Sequence, residues 1–263
     1  MDIKEIEEIY RYSYNKYDDL YNYFLYKCDF NILYTRLSIG FITYRIRDFT
    51  HFEEIKKKEN VQYPKEVKSY SRIGKPGQVW FYISDDLNAT YAEMLPIWLK
   101  NKRYGETFYT VVSIWQVREP IKVLIIPEFT NTNAICKVLN FEPYKEHIDF
   151  WKHVVRRFSE NSVDNENVYE FTSAFANSLI TKSKIEGQDI KGIFYPSVQM
   201  LEKSNLALLP SVVDTDEIAL IRLAKIEYQK SRILNNQGNP KYRPVGEYIY
   251  GYYDSDMDII NWD

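Results

Sequence analysis

The sequence predicts an α+β fold in which a mixed β-sheet forms the core and a helical extension precedes it. Apolar segments with strand-like alternation and segments with helical spacing are mixed along the 263 residues. They lack the regular strand–helix–strand order of a parallel α/β fold. No repeat, low-complexity segment or linker divides the chain, and a chain of this length can bury one large core. We therefore expect a single domain with an extension at its N-terminus.

The extension is predicted to cover residues 1–40, and the main domain residues 41–263. Residues 2–27 read as one or two helices, because an apolar and aromatic stripe follows three- and four-residue steps. This stripe consists of Ile6, Tyr10, Tyr14, Tyr17 and Tyr21. We expect it to pack on the main domain, with an intermolecular contact as the other interpretation. The chain contains 24 tyrosines, which we interpret mostly as packing groups with their hydroxyls near the surface.

Two strands and a loop are predicted at the start of the main domain. Residues 41–47 alternate in polarity as a strand does, with Arg45 and Arg47 on the same face. The polar, lysine-rich residues 51–71 have no clear period and are predicted to form a loop that can hold a helical turn. The apolar run Val79–Ser84 follows as the second strand.

A helix is predicted directly after this strand. Asp85, Asp86 or Asn88 can cap its N-terminus, and its apolar periodicity continues through Trp98. Pro96 is expected to kink or shorten it, because proline lacks the N–H of the helical hydrogen bond. The predicted buried face consists of Leu87, Tyr91, Leu95 and Trp98.

The later elements are predicted from apolar runs that turns separate. Residues 130–185 are expected to be mainly helical, with helices around 148–160 and 168–182, and residues 216–229 fit either a helix or a strand. A turn is expected at 237–244. The predicted strands of this part are Phe108–Val117, Lys122–Ile126, Gly192–Val198, Leu206–Leu209 and 247–253.

Composition and charge exclude several classes of protein. The chain is 45% apolar and 27% charged, as ordinary globular proteins are. Its formal charge of −3 argues against broad binding to nucleic acid or anionic membrane. No window approaches the roughly 18 apolar residues of a membrane span, and the acidic start is not a signal peptide. We expect a cytoplasmic protein that binds neither nucleic acid nor membrane.

The cysteine pattern argues against a metal site and a disulfide framework. Cys28 and Cys136 have no Cys-x-x-Cys spacing and no histidine in ligand register. We predict no metal and interpret both thiols as packing groups in a reducing compartment.

Three residues around the second strand suggest a ligand site. Arg72 precedes the strand, Tyr82 lies within it, and Glu93 lies about two turns into the helix that follows. A cation, an aromatic ring and a carboxylate can therefore converge beside the carboxyl end of the strand. Such a combination suits an anionic small molecule that carries a ring.

Several segments, in this order, resemble the conserved blocks of the RES domain, a family named for an arginine, a glutamate and a serine. Ten residues separate Arg72 from Tyr82, and eleven separate Tyr82 from Glu93. Ser71 and Gly74 stand where the family usually has glycine and asparagine, and the span from Glu93 to Ser197 is longer than in compact members. The matching segments lie within residues 41–210 and are Tyr44–Arg47, Ser71–Gly77, Phe81–Ser84, Ala89–Glu93, Gly192–Val198 and Asn205–Pro210.

The resemblance implies a fold and an activity. Better-known RES proteins are bacterial toxins that degrade NAD as hydrolases or phosphorylases, usually with a DNA-binding antitoxin, and their fold resembles that of ADP-ribosyltransferases. It implies that NAD is the substrate rather than a bound cofactor, that inorganic phosphate can be the acceptor, and that an antitoxin or a second copy can be a partner. Residues 211–263 form a tail, expected to pack on the motif-bearing part, with no recognised counterpart.

The resemblance also implies roles for five residues. Arg45 and Arg72 match the two arginines of the family and would hold the pyrophosphate, which the planar guanidinium binds in a bidentate manner. Glu93 would stabilise the oxocarbenium-like sugar, bind the ribose hydroxyls or align the nucleophile. Tyr82 would stack on nicotinamide or donate to the substrate, and Ser197 would hydrogen-bond Glu93 or a ribose hydroxyl. Arg72, Glu93 and Ser197 are the predicted catalytic residues, and Arg45 and Tyr82 the predicted binding residues.

Three functions remain compatible with the sequence. The first is an NAD glycohydrolase or phosphorylase that can act as a toxin-type effector. The second is an ADP-ribosyltransferase that modifies a macromolecule, because it uses the same first half-reaction. The third is a module without catalysis that binds a nucleotide or a partner, which the long span and Gly74 favour.

Overall fold

The computed structural model describes residues 2–29, 32–51, 54–127, 147–160, 167–200, 203–234 and 240–263. These residues form seven α-helices and one large mixed sheet, so the predicted α+β class is confirmed. Cys136, part of the predicted helical segment 130–185 and the start of the predicted turn at 237–244 lie outside the described residues. In the part of the chain that is described, no helix is both long and apolar enough to cross a membrane.

The helices follow the predicted positions closely in the second half of the chain. Helices predicted around 148–160 and 168–182 are observed as α5 and α6, and a π-helical turn, Tyr23–Lys27, extends α2. The α-helices are α1 Ile3–Tyr12, α2 Lys16–Asn22, α3 Lys58–Val61, α4 Leu87–Asn101, α5 Ile148–Ser159, α6 Val168–Ile185 and α7 Pro210–Asp214.

The described strands form one sheet in the order β1-β5-β6-β7-β3-β2-β4-β8-β10-β11, with β9 paired to β8. Neighbouring strands are antiparallel except for β5 and β6, which are parallel. The strands are β1 Leu33–Leu37, β2 Ile42–Phe49, β3 Phe81–Ser84, β4 Thr107–Val117, β5 Ile121–Ile125, β6 Gly192–Pro196, β7 Ser204–Leu208, β8 Ile218–Leu234, β9 Pro240–Pro244, β10 Ile249–Asp254 and β11 Ile259–Trp262.

The sheet nearly divides between β2 and β3. Only one residue pair, Tyr44 with Ser84, is in register between these two strands, whereas β2 pairs with β4 along its whole length. One half of the sheet is therefore β1-β5-β6-β7-β3, and the other is β2-β4-β8-β10-β11 with β9.

Three apolar clusters hold the layers together. The first lies between the N-terminal helices, α5, α6 and the first half-sheet, and the second lies between the two half-sheets. The third lies under α4 on the other half-sheet. Both faces of β6 and β7 are covered, and every residue of these two strands is buried.

The N-terminal helices contribute to the first cluster, but the predicted stripe is interrupted. Ile6, Tyr10 and Tyr17 are buried, whereas Tyr14 is fully exposed. Helix α1 ends at Tyr12 and Ser13 adopts an extended conformation, so the helical phase is reset before α2 begins. The extension also contains a strand that the sequence pattern missed, because β1 pairs with β5 at one edge of the sheet. The division of the chain at residue 40 stays a prediction.

Helix α4 confirms its predicted cap and departs from the rest of its prediction. The Asp86 carboxylate accepts hydrogen bonds from the main-chain N–H groups of Asn88 and Ala89 at 2.8 and 3.1 Å. The helix continues past Pro96 to Asn101, because Trp98 is buried with its ring centroid 5.1 Å from that of Phe108. Two residues of the predicted buried face, Leu87 and Leu95, are exposed instead.

The tail completes the second half-sheet. Of residues 216–229, for which helix and strand both fit, 218–229 lie in β8, which pairs with β4 over the length of that strand. The sequence pattern missed two short elements, α7 and β11. Helix α7 begins with Pro210 in its first turn, a favoured position for proline, and β11 pairs with β10.

A charged cluster joins α1 to α5. Glu7 contacts both Arg157 and His153, with the His153 Nε2 to Glu7 Oε1 distance at 3.2 Å. Arg157 also pairs with Glu160 at 3.1 Å, and its guanidinium carbon lies 4.3 Å from the centroid of the Tyr10 ring. Burial lowers the pKa of His153 to about 4, and the neighbouring Glu7 offsets this only in part. His153 is therefore neutral in the folded protein at pH 7.

We expect Phe24→Ala to lower the free energy of unfolding by about 3–5 kcal/mol, because a buried ring would leave a cavity. Phe24 is 0% exposed and contacts Phe171 and Phe175 on α6. The matched control is Tyr14→Ala, which should change stability by less than about 0.5 kcal/mol at its exposed position. Urea unfolding measures both. Equal effects of the two variants would contradict packing of this segment in the core.

We expect His153 to make the protein less stable in mild acid. The lowered pKa means that the unfolded chain binds more protons than the folded protein between pH 6.5 and about 4. The stabilisation by neutral His153 is fully present above pH 6.5 and is lost as the pH falls toward 4. Between pH 7 and pH 5, the free energy of unfolding should fall by about 1–2 kcal/mol more in the parent than in His153→Gln. The exposed His51→Gln is the control and should follow the parent.

Candidate functional site

A cleft of about 330 Å³ opens where β2 and β3 diverge. Its size falls at the lower end of the range of small-molecule sites, roughly 300–1,000 Å³. Four of the five predicted site residues line it, namely Arg45, Arg72, Tyr82 and Glu93. The other lining residues are Ile46, Ser71, Ile83, Ser84, Thr90, Met94, Ile97, Tyr169, Tyr195, Val198 and Asn205.

Arg45 enters the cleft from β2. Its Nη1 donates to the main-chain oxygen of Tyr82 at 2.5 Å, and its guanidinium carbon lies 5.6 Å from the Phe81 ring centroid. Burial lowers the pKa of Arg45, but an arginine remains a cation at neutral pH. None of the described carboxylates forms an ion pair with it. A cation held without an acidic partner suits the binding of an anion.

Arg72 enters from the loop before β3. Its Nη1 donates to the main-chain oxygen of Glu160 at 3.0 Å, and its guanidinium carbon lies 5.0 Å from the centroid of the Tyr169 ring. Both contacts come from the long span between Glu93 and Ser197. The described residues give Arg72 no ion-pair partner either.

Tyr82 presents its ring to the cleft and uses its hydroxyl within the protein. The hydroxyl lies 2.7 Å from Ser71 Oγ and accepts from the main-chain N–H of Ile73 at 3.3 Å. Burial raises the pKa of Tyr82 to about 12, so the phenol is protonated at pH 7. The ring face is thus the part of Tyr82 that can meet a ligand.

The two residues that depart from the family pattern form the turn that holds Tyr82. Ser71 Oγ accepts from the main-chain N–H of Gly74 at 3.0 Å, and Ser71 N donates to the Gly74 oxygen at 2.8 Å. A Cβ atom on Gly74 would lie 2.7 Å from Cδ1 of Trp80. Glycine is required here because the buried indole leaves no room for a side chain.

Glu93 is fixed through one carboxylate oxygen. Ser197 Oγ and Asn205 Nδ2 both donate to its Oε1, at 2.7 and 2.8 Å. Among the described residues Oε2 receives no hydrogen bond, which leaves this oxygen for a ligand.

Ser197 lies behind Glu93 and does not line the cleft. It is 2% exposed, and its Oγ also accepts from the main-chain N–H of Met200 at 3.2 Å. No hydrogen bond among the described residues joins it to a histidine, so its geometry fits a role in holding Glu93 rather than a nucleophile. Arg47, which the sequence left outside the site, does not line the cleft and donates to the Asn60 oxygen at 2.7 Å.

Sequence reasoning assigned no role to the eleven other lining residues, of which Asn205, Tyr195 and Tyr169 contribute most to the site. Asn205 was visible as the first residue of the closing block, and Tyr195 as part of the block that ends in Ser197. Their strands are adjacent, with Tyr195 opposite Asn205 in register. Tyr169 carried no sequence signal, because its place in the cleft depends on how α6 packs.

No protein-family model and no curated protein matches this chain. In the described ranges, no group of three or more His, Cys, Asp or Glu side chains could hold a metal ion. The one cysteine in these ranges, Cys28, is buried, and burial raises the pKa of its thiol to about 11. Any assignment of function therefore depends on the cleft.

We expect Gly74→Ala to destabilise the protein by about 1–3 kcal/mol, because the new methyl group would collide with Trp80. The sign is informative, since Gly→Ala at an unstrained, open position usually stabilises by roughly 0.4–1 kcal/mol. Lys68→Ala is the control in the same loop, with a side chain that is 81% exposed. Thermal and urea unfolding report the difference. A neutral or stabilising Gly74→Ala would contradict the close packing of this turn.

Proposed function

We propose that the protein is a RES-type enzyme that consumes NAD by breaking the bond between nicotinamide and ribose. The observation that carries the proposal is the fixed carboxylate of Glu93 in the same cleft as two guanidinium groups. Ser197 and Asn205 hold one oxygen of this carboxylate, and Arg45 and Arg72 line the cleft without described acidic partners.

The charges of the cleft support a dinucleotide substrate. Two cations and one carboxylate line it, which gives a net positive site in a chain of formal charge −3. Arg45 and Arg72 would bind the pyrophosphate, because guanidinium groups donate paired hydrogen bonds to phosphate oxygens. At about 330 Å³, the cleft suits the nicotinamide–ribose half, and the adenosine half would extend toward its mouth.

The chemistry needs little more than charge and position. The nitrogen of the broken bond is positively charged in NAD, so nicotinamide leaves as a neutral molecule and needs no general acid. Positive charge then develops at C1 of the ribose, as in glycoside hydrolysis. Glu93 would stabilise this charge through Oε2 and bind the ribose hydroxyls. Ser197 and Asn205 would hold the carboxylate at the angle that this requires.

The ring faces and apolar groups of the cleft would bind nicotinamide. Tyr82 and Tyr195 are the lining rings near Glu93, and Met94 and Ile97 come from the same helix as Glu93. Burial raises the pKa of the Tyr195 hydroxyl, so this group stays neutral. Aromatic faces stack on a flat ring without adding charge that would retain the leaving group.

The fold proposal is an arrangement like that of the ADP-ribosyltransferases. The near-division of the sheet at Tyr44 and Ser84, with a cleft between the halves, supports it. A cytoplasmic, toxin-type role, an antitoxin partner and the use of phosphate follow from the resemblance and belong to the same proposal. Water is the alternative acceptor.

The test is NAD turnover by the purified protein, with and without inorganic phosphate, beside Glu93→Gln. This variant keeps the shape of the side chain and removes its charge. We expect it to lower kcat at least about 100-fold, the size of effect seen when one transition-state electrostatic contact is removed. Glu66→Gln is the matched control, because Glu66 is 72% exposed. Faster NAD loss with phosphate would identify a phosphorylase.

Other outcomes separate the alternatives. Transfer of label from NAD to protein or nucleic acid would identify an ADP-ribosyltransferase. Binding of ADP-ribose without turnover in any variant would identify a module without catalysis. Equal turnover by the parent and Glu93→Gln would contradict the role of Glu93.

A further inference from the structure

One wall of the cleft comes from the span that distinguishes this chain from compact RES proteins. Glu160 directly follows α5, and Tyr169 is the second residue of α6. Tyr169 lines the cleft, and both residues contact Arg72. The resemblance assigned no role to either of them.

We propose that Tyr169 is a positioning residue that holds Arg72 for an anionic, diphosphate-bearing ligand. The proposal deepens the proposed function, because it concerns the anion-binding part of the same cleft. The Tyr169 ring lies under the guanidinium, and the Glu160 carbonyl accepts from Nη1. These two contacts determine the direction of the remaining N–H donors.

A flexible side chain would otherwise bind the anion poorly. An arginine loses much rotamer entropy when it is held in one position. This loss weakens ligand binding unless the free protein already holds the side chain there. An aromatic face attracts a guanidinium group without using its N–H donors. Of the five donors in the group, Glu160 uses one, and within the described ranges no other hydrogen bond occupies the group, so further donors can meet phosphate oxygens.

The Glu160 carbonyl, which is the second contact of Arg72, is itself held in place by its surroundings. Glu160 directly follows α5, so its main chain lies beside the negative end of the helix dipole, which favours a nearby cation. The carboxylate of Glu160 pairs with Arg157 at 3.1 Å, and Arg157 pairs in turn with Glu7 of α1. These ion pairs are centred on the buried Arg157 and hold the main chain of Glu160 beside Arg72.

The choice of ligand follows from the geometry of Arg72. A guanidinium with its plane held against a ring presents a planar fork, and this fork matches two oxygens of a phosphate group. Arg45 supplies a second cation on the same cleft. Two cations and a single carboxylate favour a ligand with two phosphate charges over a neutral one.

The experiment measures ADP-ribose binding by calorimetry in the full-length parent and in Tyr169→Leu, Tyr169→Met and Tyr169→Phe. The leucine and methionine variants lack the aromatic face, and methionine serves if leucine fails to fold. We expect each to weaken binding about 3- to 30-fold, whereas Tyr169→Phe should bind within about twofold of the parent. Tyr250→Leu, on an exposed tyrosine of β10 that does not line the cleft, is the control.

NAD turnover is measured separately on the same variants. We expect Tyr169→Leu and Tyr169→Met to raise KM more than they lower kcat, because Tyr169 acts through Arg72 on binding. Parent-like ADP-ribose binding by Tyr169→Leu or Tyr169→Met would overturn the inference, as would a Tyr169→Phe variant that binds as weakly as Tyr169→Leu. No ADP-ribose binding by the parent would overturn it too. The expected binding pattern without NAD turnover would retain the inference and refute the proposed function.

Discussion

The hydrogen bond from Arg45 to the main-chain oxygen of Tyr82 joins the two halves of the sheet where they separate. Strands β2 and β3 share one registered pair, and a side-chain donor replaces the main-chain ladder beyond it. This keeps a buried carbonyl satisfied while the strands diverge. The divergence makes room for the cleft, and the residue that bridges it is one of the two cations that line it. One contact thus serves the stability of the fold and the charge of the site.

The carboxylate of Glu93 depends on a different part of the structure. It extends from α4, whereas its two partners come from β7 and from the residue after β6. Strands β6 and β7 are buried on both faces, so the partners are held by a rigid part of the sheet. The Asp86 cap and the packing of Trp98 hold the two ends of α4. Glu93 therefore lies between two well-supported elements, and its direction is set before any ligand binds.

The N-terminal helices and the long span after Glu93 support the site from behind. Both pack in the first apolar cluster, and the Glu7–Arg157–Glu160 ion pairs join them. Arg72 contacts Glu160, so the position of this cation depends on helices that lie far from it in sequence. The long span therefore contributes to the candidate site, and the N-terminal helices support that span.

The sequence by itself determined the class of fold, most strands, the start of α4 to within three candidate caps, and the approach of Arg72, Tyr82 and Glu93. These features depend on apolar period, capping chemistry and short spacing, which are local properties of the chain. Tertiary structure decided those features that depend on contacts between residues far apart in the sequence. Residues 218–229 are a strand because β4 pairs with them, α4 continues past Pro96 because Trp98 is buried, and β1 exists because β5 lies beside it. The place of Tyr169 in the cleft likewise depends on the packing of α6, which no local pattern encodes.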